Sequence, residues 1–326
     1  MKVLLAVALI SLLAVPGAYA GGHMDPHHSY AYFISDVPEI YLKDSNGSLN
    51  LSFVQIVLFQ NGSYYSAGLR NVKWDHPVQG SINYSYSGEV KFFPVFNYRE
   101  KFLMSRLLGT EPPVSNPGPF VRGNFGSIHA TANVTINVNS IAKSKIFGLN
   151  VSNSSRYGTF KVSFIVTSSS IHGTGRLGVF EILGSSGMFR SYDHRNERMV
   201  ESSNESGLIL ESGSAVASYW WSNNYTMNGN NETLSVVHTY AGPFSLLVFR
   251  YNFTNGLKNL TQDPYLASPE FNFLNSPITG KVIRESELFL EEHIRILLEG
   301  AGSGAVLLGV AYGSYLAGRR SLKKRY

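Results

Sequence analysis

The chain has 326 residues, no cysteine and a formal net charge of +5 at pH 7. Lys2 and five cations in the C-terminal tail supply six of the 27 basic residues, so the rest of the chain holds 21 basic and 22 acidic residues. This balance provides no basic face for nucleic acid. Without cysteine the chain has no thiol nucleophile, zinc–thiolate site or iron–sulfur cluster. In an exported protein the lack of cysteine also favours a prokaryotic, particularly archaeal, surface.

Residues 1–20 have the pattern of a secretory signal peptide. Lys2 gives a positive start, residues 3–15 are apolar, and Pro16 precedes the small-residue pattern Ala18-Tyr19-Ala20. The apolar run is short for a membrane span, so we expect cleavage after Ala20. The alternative is an uncleaved N-terminal membrane helix.

Residues 21–29 are polar and are expected to form a flexible N-terminus. Cleavage after Ala20 exposes Gly21-Gly22-His23, whose amine, amide nitrogens and imidazole suit a square-planar Cu(II) site. His27 and His28 can add ligands. We favour incidental histidines in a disordered leader, because a shift of one residue in the cleavage site abolishes the copper site. No other cofactor is expected.

Residues 30–110 are predicted to form a first β-rich domain. Asn-Gly pairs at Asn46 and Asn61 favour tight hairpin turns, and residues 98–108 are the only convincing short helix of this part. Residues 111–119 include four prolines and are predicted to be a linker. The predicted strands are 30–34, 39–43, 51–59, 63–69, 81–87 and 90–96.

Residues 120–277 are predicted to form a second β-rich domain. Apolar and polar residues alternate strictly over 130–138, with Asn133 on the polar side, and alternate again over 160–166. Short strands with Gly, Asn and Ser turns and no intervening helices indicate a mainly β fold of antiparallel β-sandwich type, in one or two domains. Further predicted strands are 179–183, 208–211, 215–221, 234–240 and 245–252.

The C-terminal part is predicted to be a membrane anchor. Residues 278–299 are expected to form a stalk helix, and residues 300–318, which carry no charge, a single transmembrane helix of about 28 Å. The basic residues of the tail, 319–326, place it in the cytoplasm beside anionic lipid. Small residues recur every four positions along the span and predict association with another transmembrane helix. They are Ala301, Ala305, Gly309, Gly313 and Ala317.

Acceptor sites for N-glycosylation, Asn-x-Ser/Thr, are unusually frequent. Composition predicts about four by chance, and the chain has roughly three times as many. All lie between the predicted signal peptide and the predicted span. Their asparagines are Asn46, Asn50, Asn61, Asn83, Asn133, Asn150, Asn153, Asn204, Asn224, Asn231, Asn252 and Asn259.

Few residues suggest catalysis. Gly173, Gly175 and Gly178 match a dinucleotide fingerprint by letter, but a short β-like run follows them, so a glycine-rich hairpin is the better interpretation. The histidines, including His129, His172, His194 and His238, lack zinc-site spacing. Asp193 with Glu197, or Glu181 with Glu201, would be the acid–base pairs of a glycosidase.

Trp220 and Trp221 are candidates for stacking on sugars. Adjacent strand residues point to opposite faces, so only one of the two can be inward. The alternative that we favour is one tryptophan in the core and one under a loop or glycan.

These observations predict a non-enzymatic, N-glycosylated type I membrane protein of the cell envelope. It would be a surface-layer or adhesion component, or the external subunit of a membrane complex, with membrane lipid, a partner transmembrane helix and surface glycans as partners. One alternative is an exported hydrolase or sugar-binding receptor with a cleft between β-domains. Another is a eukaryotic endoplasmic-reticulum membrane-complex subunit, because Lys323-Lys324-Arg325-Tyr326 resembles a dilysine retrieval signal.

Overall fold

The structure, a computed structural model, describes residues 30–43, 47–75, 83–113, 130–143, 146–149, 157–187, 197–212, 215–241, 244–267 and 279–283. The predicted signal peptide, the N-terminus with His23, His27 and His28, most of the predicted stalk, the predicted span and the tail lie outside these residues.

The described chain is mainly β, which confirms the predicted fold class at this level. The strands are β1 (Tyr30–Ile34), β2 (Glu39–Lys43), β3 (Gly47–Gln60), β4 (Ser63–Gly68), β5 (Tyr84–Pro94), β6 (Ala130–Lys143), β7 (Tyr157–Ser169), β8 (Gly175–Gly187), β9 (Glu197–Glu201), β10 (Glu205–Ser212), β11 (Ala215–Ser222), β12 (Asn224–Met227), β13 (Asn230–Thr233), β14 (Ser235–Ala241), β15 (Phe244–Phe253), β16 (Leu260–Gln262), β17 (Tyr265–Ala267) and β18 (Thr279–Ile283). One α-helix, α1 (Tyr98–Leu108), and one 3-10 turn (Leu69–Asn71) accompany them.

The strands form two sheets that are joined where β4 pairs with β5. Sheet A has the order β18-β1-β2-β3-β8-β15-β14, and β4 pairs with the second half of β3 beside β2. Sheet B begins with β5 paired to β6 and β6 paired to β7, and β7 pairs on its other side with both β16 and β17. From β16 the sheet continues to β12 and then β13. From β17 it continues to β11, β10 and β9. Among the described strands every pair is antiparallel except β1 with β18.

The two sheets pack face to face around one hydrophobic core. Aromatic pairs cross from sheet A to sheet B, with ring centroids 5.1 Å apart for Phe249 and Trp221 and 4.9 Å apart for Tyr251 and Tyr225. Such contacts add specificity to the apolar burial that drives folding.

Strands from either side of residues 111–119 pair with each other in both sheets. β3 pairs with β8 along its whole length, and β5 pairs with β6. The described parts of 30–110 and 120–277 therefore share one core, and the boundary predicted at the proline-rich stretch does not divide that core. Local composition signals a break in regular structure there, but it carries no information about long-range pairing.

The predicted alternation over 130–138 is confirmed in β6. Its apolar members, Ala130, Ala132, Val134, Ile136 and Val138, are all buried. Asn133 lies on the opposite, exposed side. Period-two patterning therefore identified the buried face of this strand.

Helix α1 has the bounds that the sequence predicts. The Asn97 side chain accepts a hydrogen bond from the Arg99 N–H at 2.9 Å, and Gly109 ends the helix with a positive φ of 65°. Met104 and Leu108 pack on the outer face of sheet A against Val57 and Phe180.

Two arginines of sheet A hold the C-terminal end of α1. The Arg250 Nε donates to the Leu107 carbonyl at 2.6 Å, and the Arg176 Nη1 donates to the carbonyls of Leu108 and Gly109. Cations at this end are stabilising, because the last carbonyls of a helix lack partners within it. The helix is therefore a fixed part of the fold.

Strand β18 corrects the start of the predicted stalk helix. Residues 279–283 extend parallel to β1, with Thr279 opposite Tyr30 and Ile283 opposite Ile34. Val282 and Ile283 are β-branched, and the edge of β1 offers backbone hydrogen bonds that a helix would leave unmade. The rest of the predicted stalk lies outside the described residues. None of the helices in the described part of the chain is long and apolar enough to cross a membrane.

Candidate functional site

The acceptor asparagines are the most numerous candidate site residues, and most of those described face solvent. Eight are exposed: Asn61, Asn83, Asn133, Asn204, Asn224, Asn231, Asn252 and Asn259. Asn50 is half-buried, and its Nδ2 donates to Glu39 Oε1 at 3.4 Å. Asn46, Asn150 and Asn153 lie outside the described residues.

Asn61 shows the geometry of an accessible acceptor most clearly. It forms the β3–β4 turn with Gly62, and the two residues have positive φ angles of 50° and 72°. Two positive φ values in succession produce the tight hairpin that the Asn-Gly pair predicts. The space around a Cβ added at Gly62 is open to 4 Å. Asn61 itself is exposed at this turn, so its amide is accessible to solvent.

Asn133 and Asn252 show a second arrangement, in which the amide also bonds to the protein. The Asn133 Nδ2 donates to Ser168 Oγ at 2.8 Å across the β6–β7 pair. The Asn252 Oδ1 accepts from Arg176 Nε on the outer face of sheet A. Both side chains are exposed, so attachment of a sugar to Asn133 costs one surface hydrogen bond and no buried group.

The two adjacent tryptophans are both buried, so neither presents a ring to a sugar. Trp221 lies in the core between the sheets. Trp220 points to the other face of sheet B, stacks on Tyr265 at 5.4 Å and packs against Ile146. This confirms the interpretation of one core tryptophan and one beneath a loop.

The glycine motif is explained by packing. Gly173 lies in the β7–β8 connection with a φ of 80°, and Gly175 and Gly178 lie in β8. A Cβ at Gly175 would approach the Phe59 carbonyl oxygen to 2.6 Å, and one at Gly178 would collide with Leu108 of α1. The motif leads into a strand and not into a helix N-terminus, which does not fit a dinucleotide fingerprint. The predicted hairpin is wrong, because β7 lies in sheet B and β8 in sheet A, so the glycines belong to a connection between the sheets.

Glu181 is a buried acid that the sequence did not single out as structural. It lies on β8, points into the core and is 1% exposed. Tyr219 Oη donates to its Oε2 at 2.5 Å, and burial raises the pKa of Glu181 to about 8 against the ordinary 4.5. Glu201 is exposed at the end of β9, so the proposed Glu181–Glu201 acid–base pair does not form. Asp193, of the other pair, lies outside the described residues.

A second polar cluster joins the edges of the two sheets. Glu197 on β9 accepts a hydrogen bond from Ser245 Oγ of β15, and the His238 Nε2 of β14 lies 3.4 Å from the same Glu197 oxygen. The His238 Nε2 has no hydrogen-bond partner at this distance. Sequence reasoning treated His238 as isolated, since no short-range spacing links residues on three separate strands.

This cluster does not have the order of a nucleophilic triad. The carboxylate lies between serine and histidine, whereas nucleophile activation needs the imidazole next to the serine hydroxyl. Ser245 is also only 1% exposed. The described arrangement therefore ties β9 to the β14–β15 hairpin.

The structure does not describe the remaining candidate sites. His23, His27, His28 and the small-residue stripe at 301–317 lie outside the described residues. Within those residues no group of three His, Asp or Glu side chains is placed to hold a metal ion. In comparison with known proteins, the chain matches no family model and no curated protein.

Proposed function

We propose that this chain is a non-enzymatic, N-glycosylated envelope protein whose β-sandwich-type ectodomain is held at the cell surface by a C-terminal membrane helix. The observation that carries the proposal is the exposure of eight acceptor asparagines, which occur in both sheets and in several turns. A surface enriched in acceptor sites around a well-packed core suits display, shielding and adhesion.

The sequence pattern at the two ends supports the same proposal. A signal-like start and an uncharged run followed by basic residues predict an external domain and a cytoplasmic tail. The protein would act as a surface-layer or adhesion component or as the external subunit of a membrane complex. Glu197, His238 and Ser245 do not support the alternative of an exported hydrolase, because the serine is buried and its hydroxyl donates a hydrogen bond to the carboxylate.

Replacing Asn231 by glutamine tests the proposal at one site. Asn231 is exposed on β13 and begins an acceptor triplet that ends in Thr233. We expect the native-host protein to lose the mass of one glycan while its fold is unchanged, because the side chain contributes nothing to the core. Intact-protein mass spectrometry measures the difference.

Asn230 supplies the matched control, since it is exposed on the same strand but is not an acceptor. Asn230→Gln should leave the mass unchanged apart from the substitution. Equal masses for both variants, with glycosylation missing at the other exposed acceptors as well, would contradict the proposal.

A further inference from the structure

Helix α1 is apolar on both of its faces. Its inner face packs on sheet A through Met104 and Leu108, but Tyr98, Phe102 and Leu103 are 45%, 43% and 50% exposed on the outside. These three residues follow the i, i+4, i+5 spacing of one helical face. We call them, together with Arg99 and Arg106, the outer stripe of α1.

Exposed large apolar residues also precede the helix in the chain. Phe93 and Phe96 are 43% and 55% exposed, so most of the large hydrophobic side chains exposed in the described chain lie within residues 93–103. Tyr98 and Phe102 stack with ring centroids 6.5 Å apart, and exposed apolar residues that lie together mark a contact surface more often than a solvated one. Aromatic residues with arginine are also the composition of interface centres.

The charge of the outer stripe restricts its occupant. Arg99 and Arg106 are both exposed, and Glu100, the one acidic residue within α1, is partly buried. The occupant should therefore combine large apolar side chains with an excess of carboxylates.

Residues 284–299 have this composition. They include five glutamates and two arginines, which gives a net charge of −3, and seven large apolar residues. Their apolar members are Leu288, Phe289, Leu290, Ile294, Ile296, Leu297 and Leu298. Because this segment is joined covalently to the domain, its effective concentration at the stripe is high.

The segment also has the required reach. It begins directly after β18, which lies in sheet A, and α1 packs on the outer face of the same sheet. β1 and β2 separate β18 from β3, and Ile283 lies level with Ser52, five residues before Val57 under α1, so the crossing is on the order of 22 Å at the usual strand spacing and rise. Sixteen residues span about 24 Å at the helical rise per residue and about 53 Å when extended.

We infer that residues 284–299 dock on the outer stripe of α1, with their glutamates facing Arg99 and Arg106 and their apolar side chains covering Tyr98, Phe102 and Leu103. This contact fixes the ectodomain relative to the chain that leads to the predicted anchor. It does not depend on glycosylation.

Disulfide trapping in the full-length chain tests the contact, because the natural sequence contains no competing cysteine. Leu103→Cys is combined in turn with cysteine at Leu290, Ile294 or Leu297, which would share one face of a helix. Lys258→Cys, exposed in the β15–β16 connection, replaces Leu103→Cys in the control series. We expect at least one Leu103 pair to form an intramolecular disulfide at about ten times the yield of its control.

Charge reversal gives a second readout in the same background. Arg99→Glu with Arg106→Glu should lower the yield of that disulfide roughly tenfold, because like charges would then face each other. Yields equal to the control for all three pairs would overturn the inference. Disulfide-linked dimers alone would also overturn it, since they would assign the stripe to a second copy. Protection of a single Leu103→Cys from a water-soluble maleimide only in the presence of anionic vesicles would assign the stripe to lipid instead.

Discussion

Glu181→Gln is expected to remove most of the pH dependence of stability between about pH 4.5 and pH 8. The carboxyl lies in the core with Tyr219 as its hydrogen-bond donor, and burial raises its pKa to about 8. Glutamine keeps an oxygen to accept from Tyr219 but cannot ionise. The core therefore loses its titrating group without losing its shape.

The sign of the effect follows from proton binding. In the unfolded chain the Glu181 pKa returns to its ordinary value of 4.5, whereas the folded pKa is about 8. Between these values the folded state binds more protons, so the free energy of unfolding decreases as pH rises. The stabilisation that comes from the raised Glu181 pKa is present in full below pH 4.5 and is lost as the pH rises to about 8. Between these values the free energy of unfolding falls by at most about 1.4 kcal/mol per pH unit.

Chemical denaturation of the natural protein and the variant at several pH values measures this slope. Glu201→Gln is the control, because Glu201 is exposed on β9 and its replacement should leave the slope unchanged. A slope that persists in Glu181→Gln would show that the buried carboxyl is not its source.

Trp221→Ala is expected to cost about 3–5 kcal/mol of unfolding free energy, the usual range for a large aromatic removed from a core. Trp221 is 1% exposed and contacts Phe249 of the facing sheet edge to face at 5.1 Å. The cavity would lie between the two sheets, where neither sheet can collapse without moving the other.

Trp220→Ala is the comparison variant. Trp220 is equally large and similarly buried, but it lies on the outer face of sheet B in a small cluster with Ile146 and Tyr265. A loop segment can close over that site more easily than a sheet can move, so we expect a smaller loss. Circular dichroism during denaturation should show one transition for both variants. Two separate transitions would contradict a single core shared by residues on both sides of 111–119.

The sequence predicted local structure well where one face of a helix or strand is buried and the other is exposed to solvent. β6 buries the face that its strict alternation predicts, although the strand continues past residue 138 to Lys143, and α1 has the predicted bounds. Gly88 misled the prediction of two strands over 81–96, since it lies inside the single strand β5. There a Cβ would meet the Lys73 carbonyl oxygen at 2.9 Å, so the glycine serves a close approach and not a turn.

The sequence could not predict features that depend on long-range pairing. β18 pairs with β1, although the two strands lie at opposite ends of the described sequence. Nothing local distinguishes the charged and apolar residues of β18 from the start of a helix. Glu181 occupies the inward position of β8, but only the placement of Tyr219 opposite it makes that position tolerable for an acid. Acceptor triplets were readable from the sequence, whereas their exposure needed the fold.

The central claim, that the exposed acceptors carry glycans, is tested most directly by the intact mass of the protein purified from its native membranes. We predict a mass above that of the mature polypeptide by several glycans, with peptide mapping that finds Asn61 and Asn133 among the modified residues. A native mass equal to that of the bare polypeptide would contradict the account.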